Sequence, residues 1–80
     1  MEIIGIDVSK KTFDAWSSTL GHRSFSNDKL GYKQLRDWTE GKCHFVMEST
    51  GSYHIQLALN LYEKGFKVSV VNPLPVKRFM

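Results

Sequence analysis

The sequence predicts an α/β domain built on a mixed five-stranded sheet, with elements in the order β-β-β-α-β-α-β. Three observations predict it. Short apolar runs ending in an acid open the chain at Ile3–Asp7 and recur at Cys43–Glu48. Between them lie two β-rich runs separated by a turn signal, which read as a hairpin. Two stretches with helical character then alternate with the last two strands, the pattern of crossover units and parallel pairing.

Each element has its own warrant. Ile3-Ile4-Gly5-Ile6 is apolar on both faces, as a central strand requires. Thr12–Ser17 is β-rich with imperfect alternation, and Arg23–Ser26 returns as a polar edge strand after a turn at Leu20-Gly21-His22. Asn27 and Asp28 supply a helix start, a side-chain acceptor and negative charge at the positive end of the dipole. Gly31, Leu35 and Trp38 then form one apolar stripe, with Lys29, Lys33, Arg36, Asp37 and Glu40 elsewhere and Gly41 as the stop. After Glu48, Ser49-Thr50-Gly51-Ser52 offers a turn and a cap. Tyr53–Tyr62 follows, apolar almost all round, so a helix there needs burial on more than one side. Gly65 suits a helix end, Phe66–Val71 a further strand, and Asn72-Pro73-Leu74-Pro75 breaks that strand. Right-handed crossovers place the Glu48 strand beside the Asp7 strand, with Val68–Val71 beyond it. This is the layout of the ribonuclease H-like fold.

Length and composition bound the function. Eighty residues make one small domain or a piece of a larger one, and 41% hydrophobic residues suffice for a modest core. A net charge of +3 is compatible with a nucleic-acid partner without demonstrating one. The single cysteine, Cys43, sits in an apolar run away from any Cys/His cluster, which reads as a small buried strand residue and argues against a zinc site. No apolar stretch is long enough to span a bilayer and the N-terminus lacks a leader pattern, so a soluble, cytoplasmic protein is expected.

Asp7 and Glu48 carry the chemical argument. On adjacent parallel strands their carboxylates would stand about 5 Å apart, the spacing between strands. Ligands of open α/β sheets lie outside the carboxyl ends of the strands, where both acids fall. Two hard oxygen ligands there form half of a magnesium site, and paired magnesium ions serve the cutting and joining of phosphodiesters. Taken singly, an Asp such as Asp7 at a strand end is more often a turn former, and Glu48 before Ser-Thr-Gly could simply charge the first turn of the following helix. Glu48 is also expected at the N-terminus of the second helix, among free amides that favour anions. Lys10 and Lys11, just past Asp7, and Lys77 and Arg78 near the last residue are candidate phosphate contacts, with solvated surface charge as the alternative. His22 is expected in a turn, His44 in a strand and His54 in the first turn of a helix, each structural or solvated, with His54, close to Glu48, the first to test.

Three segments together carry a resemblance: Gly5-Ile6-Asp7-Val8-Ser9-Lys10, Met47-Glu48-Ser49-Thr50-Gly51-Ser52-Tyr53 and Val71-Asn72-Pro73-Leu74-Pro75-Val76-Lys77-Arg78-Phe79. In this order they resemble the opening of the DEDD-type insertion-element transposases, prokaryotic recombinases with a RuvC-like N-terminal domain. The resemblance covers essentially the whole chain. It implies that Asp7 and Glu48 are the first two acids of the DEDD set, that magnesium is the cofactor, and that DNA is the substrate. It also implies an oligomeric protein and, in some members, a guide RNA made from the element. The family's other two acids follow the Asn-Pro segment and its strand-exchange serine lies further on, so these residues resemble a fragment inactive by itself. Two other readings stay open. A non-enzymatic nucleic-acid-binding or interaction remnant is one. The other is an ATPase domain of the actin and sugar-kinase type, against which Ser9-Lys10-Lys11 stands where that class needs glycine.

Overall fold

The chain opens with three antiparallel strands, β1 (Glu2–Val8), β2 (Thr12–Ser17) and β3 (Gly21–Ser26). Helix α1 (Lys29–Trp38), strand β4 (Cys43–Glu48), helix α2 (Ile55–Glu63) and strand β5 (Lys67–Val71) follow. The computed structural model describes residues 1–39, 42–48 and 51–71. The proposed break at 72–75, the apolar residues beyond it and the helix stop at Gly41 lie outside them.

The sheet order is β3-β2-β1-β4-β5, with β1 antiparallel to β2 and parallel to β4, and β4 parallel to β5. This is the expected ribonuclease H-like arrangement. Alternation along the strands sorts side chains between two faces. Ile4, Ile6 and Val8 of β1, Phe13 and Ala15 of β2, and Cys43, Phe45 and Met47 of β4 are buried together with Leu35 of α1 and Leu57 and Leu61 of α2. Phe13 stacks on Phe25 at 5.2 Å, and Phe45 meets Phe66 edge-on at 5.3 Å. The opposite face carries Ile3, Gly5 and Asp7 of β1, Trp16 of β2 and Glu48 of β4, and it is open, with Ile3 62% and Trp16 49% exposed. Among the described residues, then, the two helices share one face of the sheet with the core.

Asp28 caps α1: its carboxylate accepts from the Gly31 amide at 2.9 Å and from the Ser26 hydroxyl at 2.8 Å. Those bonds hold the carboxyl below its ordinary range, the Gly31 amide contributing most. The helix start is pressed against the end of β3 so closely that a Cβ on Gly31 would overlap the Ser26 carbonyl oxygen. Glycine here is a packing requirement as well as a stripe position.

Three expectations are corrected. Helix α2 begins at Ile55 with His54 as its N-cap and no side-chain cap bond, so the cap expected around Ser52 is not made. Only Leu57 and Leu61 of α2 are buried, while Ile55, Leu59 and Tyr62 are 45, 49 and 71% exposed. The all-round apolar pattern thus yields one buried stripe and one outward-facing apolar stripe. His22 lies in β3, opposite Trp16, because Gly21 with φ 86° completes the turn one residue earlier than its sequence suggests.

Candidate active site at the carboxyl end of the sheet

The parallel register pairs Ile6 with Met47, so the next residue on each strand, Asp7 and Glu48, stands at the same level of neighbouring strands. Ile6 and Met47 point into the core; Asp7 and Glu48 alternate to the open face and are exposed. Both acids line one concavity of about 450 Å³, together with Gly5, Trp16, Val46 and Val71. Gly5 leaves its floor clear, since nothing lies within 4 Å of where a Cβ would be.

A third carboxylate adjoins this site and sequence reasoning missed it. Asp14 of β2 is the direct cross-strand partner of Asp7. Like charges placed opposite one another repel, but Asp14 is engaged elsewhere. It accepts from the Ser24 hydroxyl and contacts His22 Nε2 at 3.0 Å, and these partners, Ser24 foremost, hold its carboxyl below the ordinary range. The signal for Asp14 was present in the spacing Thr12-Asp14-Trp16, which puts all three on one strand face. Trp16 in turn stacks on His22 at 4.9 Å.

Lys10 and Lys11 are exposed in the turn between β1 and β2, closed by the Ser9 amide donating to the Thr12 carbonyl at 2.8 Å. No residue of that turn has positive φ. Its Ser9 amide is therefore occupied, and the turn lacks the glycine cradle of phosphate-binding ATPases. Lys77 and Arg78 lie outside the described residues. Glu48 does not stand at a helix N-terminus, because α2 starts only at Ile55, and the argument from free amides is withdrawn. His54 precedes α2 with a buried Nδ1 that has no hydrogen-bond partner among the described residues, and it is not part of the lining that Asp7 and Glu48 share. His44 Nε2 pairs with Ser69 Oγ at 2.7 Å on the open face.

Asn27 joins the loops that leave the two acid-bearing strands. Its Nδ2 donates to the Ser9 carbonyl at 3.1 Å and to the Tyr53 carbonyl at 3.1 Å. Its Oδ1 accepts from the Tyr32 hydroxyl at 3.0 Å, and its backbone amide donates to the Lys11 carbonyl at 2.8 Å. One side chain thereby holds the turn after Asp7, the loop after Glu48 and helix α1 in one relation.

Chemically, two exposed carboxylates at the mouth of a sheet suit a hard cation that keeps several of its waters and takes further oxygens from a substrate phosphate. Among the described residues no group of three or more His, Cys, Asp or Glu side chains forms a closed metal cage. Asp7 and Glu48 could supply an open, partial ligand set.

A ribonuclease H-like sheet with two acids at its carboxyl mouth is the class that fold and site define. Within that class, the chain belongs to the DEDD transposase family of the IS110 type, whose profile, described as a transposase, matches residues 4–80. Among curated proteins it is similar to the pilin gene-inverting proteins of Moraxella bovis and Moraxella lacunata. Each is 34% identical over 85 aligned residues, which cover 95% of this chain and 26% of the relative. The chain thus spans about a quarter of the length of these relatives. No helix among the described residues is long and apolar enough to cross a membrane.

Proposed function

We propose that residues 1–80 form the first part of a RuvC-like catalytic domain for DNA transposition or recombination, in which Asp7 and Glu48 hold magnesium for phosphodiester cleavage and strand transfer. The observation that carries this reading is the register that sets the two acids level on neighbouring strands and on the open face. Family membership and the gene-inverting relatives support the DNA substrate. Asp7 and Glu48 would hold magnesium there, and the ion would supply charge neutralisation at the oxygens of a phosphodiester. Asp7 and Glu48 anchor the cation from one side and leave its other positions to water and substrate. Asn27 fixes the two exit loops so that the acids keep their spacing. Lys10 and Lys11 offer phosphate contacts beside Asp7, and Lys77 and Arg78 remain candidates for the same role.

Two acids by themselves offer a cation few ligands, so these residues are expected to bind magnesium weakly and to leave plasmid DNA uncut. In the full-length protein we place the activity in a prokaryotic cytoplasm, in a homo-oligomer, with an element-derived guide RNA as a further partner of the family's kind. Manganese, as a paramagnetic stand-in, tests the site directly. It should broaden amide signals around Asp7 and Glu48 selectively, and Asp7→Asn should abolish the broadening while the fold is retained. Uniform broadening that survives Asp7→Asn, or plasmid nicking by the chain that Asp7→Ala removes, contradicts this account.

A further inference from the structure

The opposite end of the sheet carries a different surface. Lys42 ahead of β4, Lys64 at the end of α2 and Lys67 at the start of β5 converge from separate segments on one concavity of about 290 Å³. All three are exposed, and none forms an ion pair among the described residues, unlike Lys33, which meets Asp37 at 2.9 Å. No carboxylate lines this concavity among the described residues. Glu2, the nearest acid on β1, turns its carboxylate to Ser17 and to the Thr19 hydroxyl, the latter at 2.9 Å. Glu63 is outside the lining.

Lys64 and Lys67 also stand on a pinned turn. Gly65, with φ 92°, lets the Gly65 amide donate to the Tyr62 carbonyl at 3.0 Å and the Phe66 amide to the Leu61 carbonyl at 3.1 Å. Phe66 is anchored edge-on against buried Phe45. The turn between Lys64 and Lys67 is therefore pinned to the core, and the ammonium groups extend from a rigid base.

We propose that this amino end of the sheet is a docking surface for the phosphodiester backbone of duplex DNA, distinct from the carboxyl end where Asp7 and Glu48 stand. The two ends are roughly 20 Å apart, the rise of a seven-residue strand such as β1. Three unpaired cations with no lining acid match a polyanion, and the choice of DNA rests on the reading that this chain acts on DNA. At the acid end the two carboxylates repel a bare backbone even with Lys10 and Lys11 beside them, whereas the lysine end has no lining carboxylate among the described residues and attracts it directly. The two surfaces therefore separate holding the duplex from reacting with it.

The test uses the 80-residue chain and a fluorescently labelled duplex in metal-free buffer, with anisotropy read between about 50 and 200 mM salt. Lys64→Gln/Lys67→Gln should weaken binding about tenfold and reduce the slope of log affinity against log salt by roughly 2, near 0.9 per phosphate contact. Lys29→Gln/Lys33→Gln removes the same charge from α1 and should weaken binding less than about twofold. Equal losses in the two variants mean diffuse attraction to net charge and overturn the proposal, as does no loss in the first. Tighter binding of single-stranded RNA or of anionic vesicles, lost in the same variant, assigns the surface to another partner and also overturns it. Amide shifts on adding duplex to the unaltered chain should centre on residues 42–44 and 64–67, which keeps the test decisive if a variant misfolds. Asp7→Asn should leave this binding intact. If that variant also retains manganese broadening, the metal reading fails while the docking result stands on its own.

Discussion

Asp14 shows how one side chain can make an acidic site tolerable. It faces Asp7 across the β1–β2 pair, yet Ser24 and His22 hold its charge toward β3. Because these bonds lower its folded pKa, the stability they contribute is fully present above the ordinary carboxylate value of 3.8 and is lost as pH falls through the lower folded value. Asp14→Asn should therefore be less stable than the unaltered chain at neutral pH, and the gap should close well below pH 3.8 in urea midpoints taken across the range. Asn27 makes the opposite kind of contribution, a neutral amide whose donors and acceptor are both used. Asn27→Ala removes these bonds together and should cost about 1–3 kcal/mol. Asn27→Asp, which keeps the Tyr32 acceptor and loses the Nδ2 donors, should recover only part of that in the same denaturation series. The role of Asn27 was hidden in the sequence for a plain reason. Next to Asp28 it reads as a helix cap, and its real partners lie 18 and 26 residues away along the chain.

At the scale of elements, local pattern and tertiary contact divided the information unevenly. The strands and their order were legible, because alternation sorts Ile4 and Ile6 from Asp7, and the crossover rule leaves one place for β4. The same reasoning set Asp7 level with Glu48. The start of α2 was not legible, since Tyr53 and His54 run into it without a break in pattern, the His54 carbonyl already accepts from the Ala58 amide at 2.9 Å, and no side-chain cap marks Ile55. Nor could an apolar pattern say which stripe of α2 faces Phe45 and which faces outward. In α1 the stripe was legible but the tightness of its contact was not. Gly31→Ala tests that contact. Alanine favours a helix interior by about 1 kcal/mol over glycine, but its Cβ would collide with the Ser26 carbonyl, and overpacking of this kind costs typically 1–3 kcal/mol. The backbone oxygen of β3 cannot rotate away as a flexible side chain would, so net destabilisation is expected. A thermal melt of Gly31→Ala at or above the unaltered chain would falsify the close approach.

For the whole molecule, the open sheet face and the outward stripe of α2 leave Ile3, Trp16, Ile55, Leu59 and Tyr62 in contact with solvent. Val70 and Val71 add to this on β5, an edge strand of the sheet among the described residues, at 44 and 43% exposure. Monomers seldom carry so much apolar surface, and edge strands invite pairing. Self-association through β5 is the expected consequence, with the segment from 72 to 80 as a further candidate contributor. Light scattering coupled to size exclusion at micromolar concentration should give a mass above 9.2 kDa. Val70→Lys, on the core-facing side of that edge, should move it toward the monomer. A clean monomer for the unaltered chain means that the exposed stripes are too dispersed to drive association.

The central position of β1 has a kinetic consequence. It precedes the other described strands in the chain and is the middle strand of the sheet, and its parallel partner β4 arrives about forty residues later. The β1–β2–β3 meander can close through short turns, while β1–β4 pairing must wait for a long loop to be drawn in. The nascent meander therefore holds one side of β1 open, and Asp7 stays apart from Glu48 until that last, slow closure. The level pairing of the two acids is born late, after much of the hydrophobic core has been committed, so an incompletely folded chain cannot assemble it ahead of the fold.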